Sequence, residues 1–116
     1  MRHHSNVRKF GREKTQRHEL MRSLARNLIN GSKIKTTTAK AKELRPMIEK
    51  LITKAKVSTV ASRRNVMTSI QGAKETKKLF DVVAPKYKDR KGGYTRIVKL
   101  PNRDMDGSPM SLIEFV

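Results

Sequence analysis

Two short segments near the end of the chain decide the fold: Tyr94-Thr-Arg-Ile-Val-Lys-Leu100 and Pro109-Met-Ser-Leu-Ile-Glu-Phe-Val116. The first alternates between polar and apolar residues, and the second is rich in residues that favour strands. Between them, residues 101–108 contain Asp106-Gly107, a pair typical of turns. The pattern predicts an antiparallel β-hairpin.

A third strand is predicted well before the hairpin. The stretch Lys33-Ile-Lys-Thr-Thr37 is short and rich in β-branched residues. Added to the hairpin, it gives a small sheet of three strands, which we expect to be mixed. About four helices should pack on this sheet, so the sequence predicts a two-layer α+β fold.

The first helix follows from apolar residues at helical spacing. Leu20, Leu24 and Leu28 recur every four residues and place an apolar stripe on one face. We expect Thr15 to cap the start of this helix and Asn30-Gly31 to end it.

Three further helices are predicted between Thr37 and Pro85. The second begins at Thr37 or Thr38 and contains Pro46, which should kink or restart it because proline lacks a backbone N–H. The third opens at residues 57–58 and ends at Gly72, and Pro85 stops the fourth. Their apolar faces carry Leu44, Ile48, Leu51, Ala55, Val60, Ala61, Met67, Ile70, Leu79, Phe80 and Val83.

The first 14 residues, MRHHSNVRKFGREK, have no apolar period. They contain five Lys and Arg residues but only one acid, Glu13. Such a composition cannot close a core, so we expect residues 1–14 to form a basic arm that stays mobile until it meets a partner. Residues 15–116 should form one α+β domain.

The net charge points to a polyanionic partner. Lys and Arg number 28 and Asp and Glu number 10, which gives +18 on 116 residues. Repulsion among these charges opposes compaction unless an anion neutralises them. RNA, DNA and an acidic membrane are the candidates, and solubility alone needs a much smaller charge. The charge therefore favours a nucleic-acid-binding protein.

Catalytic and metal-binding patterns are missing from the sequence. There is no cysteine, and the three histidines, His3, His4 and His18, lack the convergent ligands of a zinc site. Gly92-Gly93 precedes a strand rather than a helix, unlike a phosphate-binding glycine loop. We therefore predict neither an enzyme nor a bound cofactor or metal.

Basic residues form three groups: the arm, the helix face of Arg17, Arg22 and Arg26, and residues 86–96. Tyr94 and Phe10 lie beside basic residues and could stack on bases, whereas Phe80 and Phe115 are expected in the core.

Alternation along the strand puts Tyr94 and Arg96 on one face and Thr95 and Ile97 on the other. We expect Arg96 to reach a phosphate and Ile97 to pack under the helices.

Several motifs together resemble those of the bacterial large-subunit ribosomal protein seventeen family, which has mitochondrial relatives. The most specific is Gly92-Gly-Tyr-Thr-Arg96; the others are Met1-Arg-His3, Gly11-Arg12, Ile34-Lys-Thr-Thr37, Lys40-Ala-Lys-Glu-Leu-Arg45, Arg63-Arg64, Leu79-Phe80, Pro109-Met110 and Ile113-Glu114. The chain departs from the family pattern at His4, usually basic, and at Gln16, usually histidine.

The resemblance implies a structural protein of the large ribosomal subunit that binds rRNA on the solvent side, near the tunnel exit and among neighbouring ribosomal proteins. It implies a cytoplasmic ribosome rather than an organellar one. With the basic groups it gives these expected rRNA contacts: Arg2, His3, His4, Arg8, Lys9, Arg12, Arg17, Arg22, Lys35, Lys40, Lys42, Arg63, Arg64, Lys88, Arg90, Lys91, Tyr94 and Arg96.

Two other classes of function remain open. Charge cannot separate RNA from DNA, so a nucleoid-type or regulatory DNA-binding protein is the main alternative. Its helices would need a cluster of Asn, Gln and Arg to read bases, and none shows one. A basic metabolic enzyme would need a polar catalytic constellation, which the sequence lacks.

Overall fold

The computed structural model describes residues 8–116. Expected contacts at Arg2, His3 and His4, and the first half of the predicted arm, lie outside the described residues. The helices are α1 (Lys14–Gly31), α2 (Thr38–Val57), α3 (Val60–Ile70) and α4 (Ala73–Lys78), and the strands are β1 (Lys33–Thr37), β2 (Thr95–Leu100) and β3 (Met110–Phe115). A π turn, Leu79–Val83, and a 3₁₀ turn, Ala84–Tyr87, extend α4. The α+β fold is confirmed.

The sheet has the strand order β1-β3-β2, and both pairings are antiparallel. The predicted hairpin and third strand are therefore confirmed, but the expectation of a mixed sheet was wrong. The observed register sets Glu114 of β3 opposite Lys33 on one side and Arg96 on the other. An acid between two cations across strands favours this alignment.

The core lies between the inner face of the sheet and the helices. Ile113 of the central strand is fully buried, and Ile34 and Ile97 flank it on the neighbouring strands and pack against the core. Phe80 is buried and Phe115 partly buried, as expected. The large aliphatic residues that the helical segments bury fully are Leu28, Ile29, Leu44, Ile48, Ile52, Val66, Ile70 and Leu79.

The ends of α1 differ from those predicted. Glu13, not Thr15, is the N-cap, and it forms a capping box with Gln16, whose side-chain oxygen accepts from the Glu13 N–H at 3.3 Å. This pairing satisfies backbone donors that a helix leaves free at its start. At the other end the left-handed residue is Ser32, whose N–H donates to the Leu28 carbonyl. Asn30 and Gly31 remain helical.

Helix α2 begins at the predicted cap, because the Thr37 hydroxyl accepts from the Lys40 N–H at 3.4 Å. The helix then continues through Pro46 without the predicted restart. Pro46 is exposed, so the carbonyl that it leaves unpaired can be hydrated. Leu44 and Ile48, on either side of it, are both fully buried and hold the two halves in one helix.

Helix α3 buries a different face from the one predicted. Its N-cap is Thr59, and its buried residues are Val66 and Ile70. Val60 is 68% exposed, and Met67 and Ala61 are also exposed. The apolar stripe drawn through Val60, Ala61 and Met67 was therefore wrong, because the start of α3 extends beyond the core.

The segment after α4 stays helical past the predicted stop. The Ala84 N–H donates to the Leu79 carbonyl, five residues earlier, which makes a π turn. Pro85 then lies in the first turn of the 3₁₀ segment, where its missing N–H costs nothing. Proline at this position changes the type of helix instead of ending it.

The loop between β2 and β3 is closed by a local charge pair. Both carboxylate oxygens of Asp106 accept from Arg103, at 2.7 and 2.9 Å, and one also accepts from the Ser108 N–H. These donors hold the pKa of Asp106 well below its usual range. A lowered pKa means that this carboxylate keeps its charge to a lower pH than an ordinary Asp does.

The position of Ile113 gives a test of this fold. Replacing Ile113 with Ala empties a fully buried site on the central strand, so the free energy of unfolding should fall by about 2–5 kcal/mol. Val98→Ala on the outer face of β2, where the side chain is 39% exposed, should change it by about 0.5 kcal/mol or less. Urea denaturation measures both; equal losses would contradict the assigned sheet faces.

Candidate nucleic-acid interface

The arginines of α1 hold two helices together. Arg26 donates to the Ile70 carbonyl at 2.8 Å, and Arg22 donates to the Ser69 carbonyl at 3.3 Å. These carbonyls end α3, where backbone acceptors lack helical partners and carry partial negative charge. Arg22 also pairs with Glu19 at 2.8 Å. The structure thus gives both arginines an internal role that their helical spacing did not predict.

The described end of the arm folds back on the domain. Arg8 forms an ion pair with Glu43 of α2 at 2.9 Å. Arg12 donates to the Phe10 carbonyl at 3.0 Å, and Phe10 has a left-handed backbone with a φ of 55°. Lys9 is exposed, whereas Arg17 on α1 is half-buried. Of these expected contacts, Lys9 is thus the most accessible.

The outer face of the sheet carries the predicted Arg96. Its guanidinium is exposed and pairs with Glu114 at 2.9 Å. Ile97, next along the strand, is half-buried and packs against the core on the same face as the buried Thr95. The predicted division between Arg96 and Ile97 is therefore confirmed, and the phosphate contact of Arg96 remains a prediction. Lys35 is exposed on the same outer face.

Tyr94 does not share the face of Arg96. Its side chain is 1% exposed and its ring lies 5.2 Å from that of Tyr87. Its hydroxyl accepts from Lys56 at 3.0 Å and donates to the Arg90 carbonyl at 3.1 Å. The hydrogen bond from Lys56 lowers the pKa of the phenol.

Stacking of Tyr94 on bases is incompatible with this burial, so that expectation was wrong. The strand starts only at Thr95, and alternation does not extend to the residue before it. The Tyr94 N–H donates to the Glu49 carboxylate at 2.9 Å, which holds this junction against α2.

One surface gathers cations from three parts of the chain. We call it the α2–α3 basic surface and define it as Lys54, Lys56, Arg63, Arg64, Lys88, Arg90 and Lys91. Lys56 bonds to the Arg90 carbonyl, which ties the loop after the 3₁₀ turn to α2. The Arg63 guanidinium lies over the Phe80 ring, 4.7 Å from its centre.

Most of these cations are free to meet an anion. Arg63, Arg64, Lys88 and Lys91 are exposed, and within residues 8–116 none of them has an ion pair or a side-chain hydrogen bond. Five of the seven were expected from the sequence. Lys54 and Lys56 were missed, although cations in the last turn of a helix, as here in α2, are a recognisable signal.

Lys40 and Lys42 lie apart from this surface, in the first turns of α2. Lys42 is exposed and Lys40 half-buried.

Groups of three or more possible metal ligands are absent from the described part of the chain. No helix in residues 8–116 combines the length and apolar character needed to cross a bilayer.

Comparison with known proteins agrees with this basic, compact domain. The family model for ribosomal protein L17 matches residues 20–116. The chain belongs to this family. It is 48% identical over its whole length to the large ribosomal subunit protein bL17 of Sphingopyxis alaskensis, covering 84% of that protein. It is 49% and 47% identical to the bL17 proteins of Hydrogenobaculum and Campylobacter jejuni, covering 99% of each.

Membership of the L17 family confirms the resemblance that was predicted from the sequence motifs. The family is a structural, non-enzymatic one, so the prediction that the chain is not an enzyme is confirmed. The alternative of a DNA-binding protein gains no support, since the relatives are named as ribosomal proteins. The individual rRNA contacts remain predictions.

The contrast between Arg26 and Arg64 gives a second prediction. Arg26→Ala removes the donor to the Ile70 carbonyl, so the free energy of unfolding should fall by about 1–3 kcal/mol. Arg64→Ala removes the same charge from an exposed site and should leave stability within about 0.5 kcal/mol. Thermal and urea denaturation measure the difference. A larger loss at Arg64 would show that the internal role assigned to Arg26 is mistaken.

Proposed function

We propose that the chain is a structural constituent of the large ribosomal subunit that binds and stabilises large-subunit rRNA. The observation that carries the proposal is the α2–α3 basic surface, where Arg63 and Arg64 of α3 and Lys88 and Lys91 after the 3₁₀ turn form no ion pair within residues 8–116. Each such cation brought to a phosphate releases condensed counterions and so favours binding. The names of the relatives supply the choice of rRNA.

The recognition proposed here relies on the RNA backbone and its shape. The chain has two Tyr, three Phe and no Trp, and both tyrosines are buried. A sheet that stacks bases on paired aromatic residues needs exposed rings, and the outer face of this sheet carries none in the residues described. Phosphate contacts through Lys and Arg fit this surface better.

The arm and the position in the subunit form the finer part of the proposal. Of the predicted arm, residues 1–9, which contain no acid, would lie extended along rRNA. Residues 10–14 turn at Phe10 and lead into the capped start of α1. The family resemblance supports a place on the solvent side near the tunnel exit, beside other large-subunit proteins of a cytoplasmic ribosome. Crosslinking of intact subunits, followed by mass spectrometry, tests this placement; neighbours far from the exit would contradict it.

Salt dependence provides the main test of rRNA binding. If about eight phosphates are neutralised, affinity for a large-subunit rRNA fragment should fall about a thousandfold or more between about 50 and 200 mM salt. Arg64→Ala should reduce the slope of log affinity against log salt by about one. An equilibrium titration at several salt concentrations measures both. A flat response would show that the cations are only hydrated surface groups.

The choice between RNA and DNA needs a separate measurement. Sedimentation of cell extract should place the chain with heavy particles, and ribonuclease should release it whereas deoxyribonuclease should not. Release by deoxyribonuclease alone would favour the DNA-binding alternative. Sedimentation as a free protein in both cases would contradict the ribosomal proposal.

A further inference from the structure

A cavity lies within the α2–α3 basic surface, where the end of α2 meets the π and 3₁₀ turns. It has a volume of about 270 Å³ and is lined by Ala55, Ser58, Phe80, Ala84, Pro85 and Lys88, together with Lys56. We call it the Phe80 slot. Sites for drug-sized ligands measure about 300–1,000 Å³, so the slot suits a single flat ring better than a longer ligand.

The walls of the slot are apolar and firmly held. Ala55, Phe80 and Ala84 are each less than a tenth exposed and belong to the core. The π turn carries Phe80, and Ala84 and Pro85 follow as the first two residues of the 3₁₀ turn. π turns occur frequently at functional sites, and here the widened turn forms one wall of the slot.

The rim of the slot is cationic. The Arg63 guanidinium lies over the Phe80 ring, and Lys88 is exposed at the opening. The Lys56 ammonium donates to the Arg90 carbonyl and the Tyr94 hydroxyl. The part of Lys56 that lines the slot is therefore its aliphatic stem. No carboxylate lines the cavity.

We infer that the Phe80 slot receives one unpaired nucleotide of RNA. A base has two apolar faces, and one of them would lie on the exposed Pro85, with the buried Phe80 at the bottom of the slot. Its phosphate would approach Arg63 and Lys88. Bases inside a paired RNA helix cannot be inserted in this way, whereas those in loops and bulges can. The inference rests on the proposed function and adds to it a preference for unpaired RNA at this site.

Filling the slot tests the inference. Ser58 is exposed, lines the slot and has a left-handed backbone with a φ of 57°. The leucine of Ser58→Leu should occupy the space that the base would fill. Ser58→Ala is the matched control, because both variants remove the Ser58 hydroxyl and differ only in the size of the side chain. The probes are a single-stranded oligoadenylate and a fully paired RNA duplex of equal length, bound to the full chain.

The expected result is a selective loss. Because Ser58→Leu excludes the base from the slot, it should bind the oligoadenylate about tenfold more weakly than Ser58→Ala does. Binding of the duplex should be the same for both variants. Equal binding of the oligoadenylate would overturn the inference. If the unmodified chain bound neither the oligoadenylate nor the duplex, that result would instead contradict the proposed function.

A second measurement needs no variant. Ultraviolet crosslinking of the unmodified chain to large-subunit rRNA, followed by mass spectrometry, should give an adduct on the peptide that contains Phe80, Pro85 and Lys88. The attached nucleotide should be unpaired in the rRNA. A slot peptide crosslinked to another protein, or adducts confined to other surfaces, would overturn the inference.

Discussion

Repulsion among 28 cationic side chains, against only 10 acids, is the constraint on which the rest of this structure depends. At physiological salt, charges are screened beyond about 8 Å, so cations placed near one another at the surface still oppose folding. The core that must withstand this is aliphatic and small. Its fully buried residues come from helices on one side and from the central strand on the other. Each cation that pairs with an acid therefore reduces the repulsion that this core must overcome, and each one that donates to a backbone carbonyl gains a favourable contact.

Acids and backbone carbonyls accept hydrogen bonds from several of these cations. Glu43 takes Arg8 from the arm, Glu114 takes Arg96 from the neighbouring strand, and the last carbonyls of α3 take Arg22 and Arg26. These contacts cross between elements instead of lying within one helix. They fasten the arm to α2, β2 to β3 and α1 to α3, and the two contacts with glutamate also neutralise charge. Other cations remain without an ion pair among the residues described, and several of them lie on the α2–α3 basic surface.

Patterns that depend on local spacing could be predicted from the sequence, and partners from distant parts of the chain could not. Alternation correctly placed Ile97 inward and Arg96 outward, and a β-branched stretch correctly predicted β1. Tyr94 was misplaced because Lys56, which bonds to its hydroxyl, lies 38 residues away. The core face of α3 was misplaced for a similar reason, since which of its apolar residues are buried depends on where α1 and α4 pack. Local spacing contains no information about either contact.

The same reasoning explains why a basic composition alone is a poor guide to an RNA interface. Arg22 and Arg64 are both helical arginines, and both were expected to contact rRNA. One has its donors directed to the Ser69 carbonyl and Glu19, and the other is exposed with no internal acceptor among the residues described. A phosphate that approached Arg22 would have to compete with bonds that hold α1 to α3. A phosphate that approached Arg64 would displace only water and counterions, whose release favours binding. The cations that the fold does not use are therefore the ones best able to bind RNA.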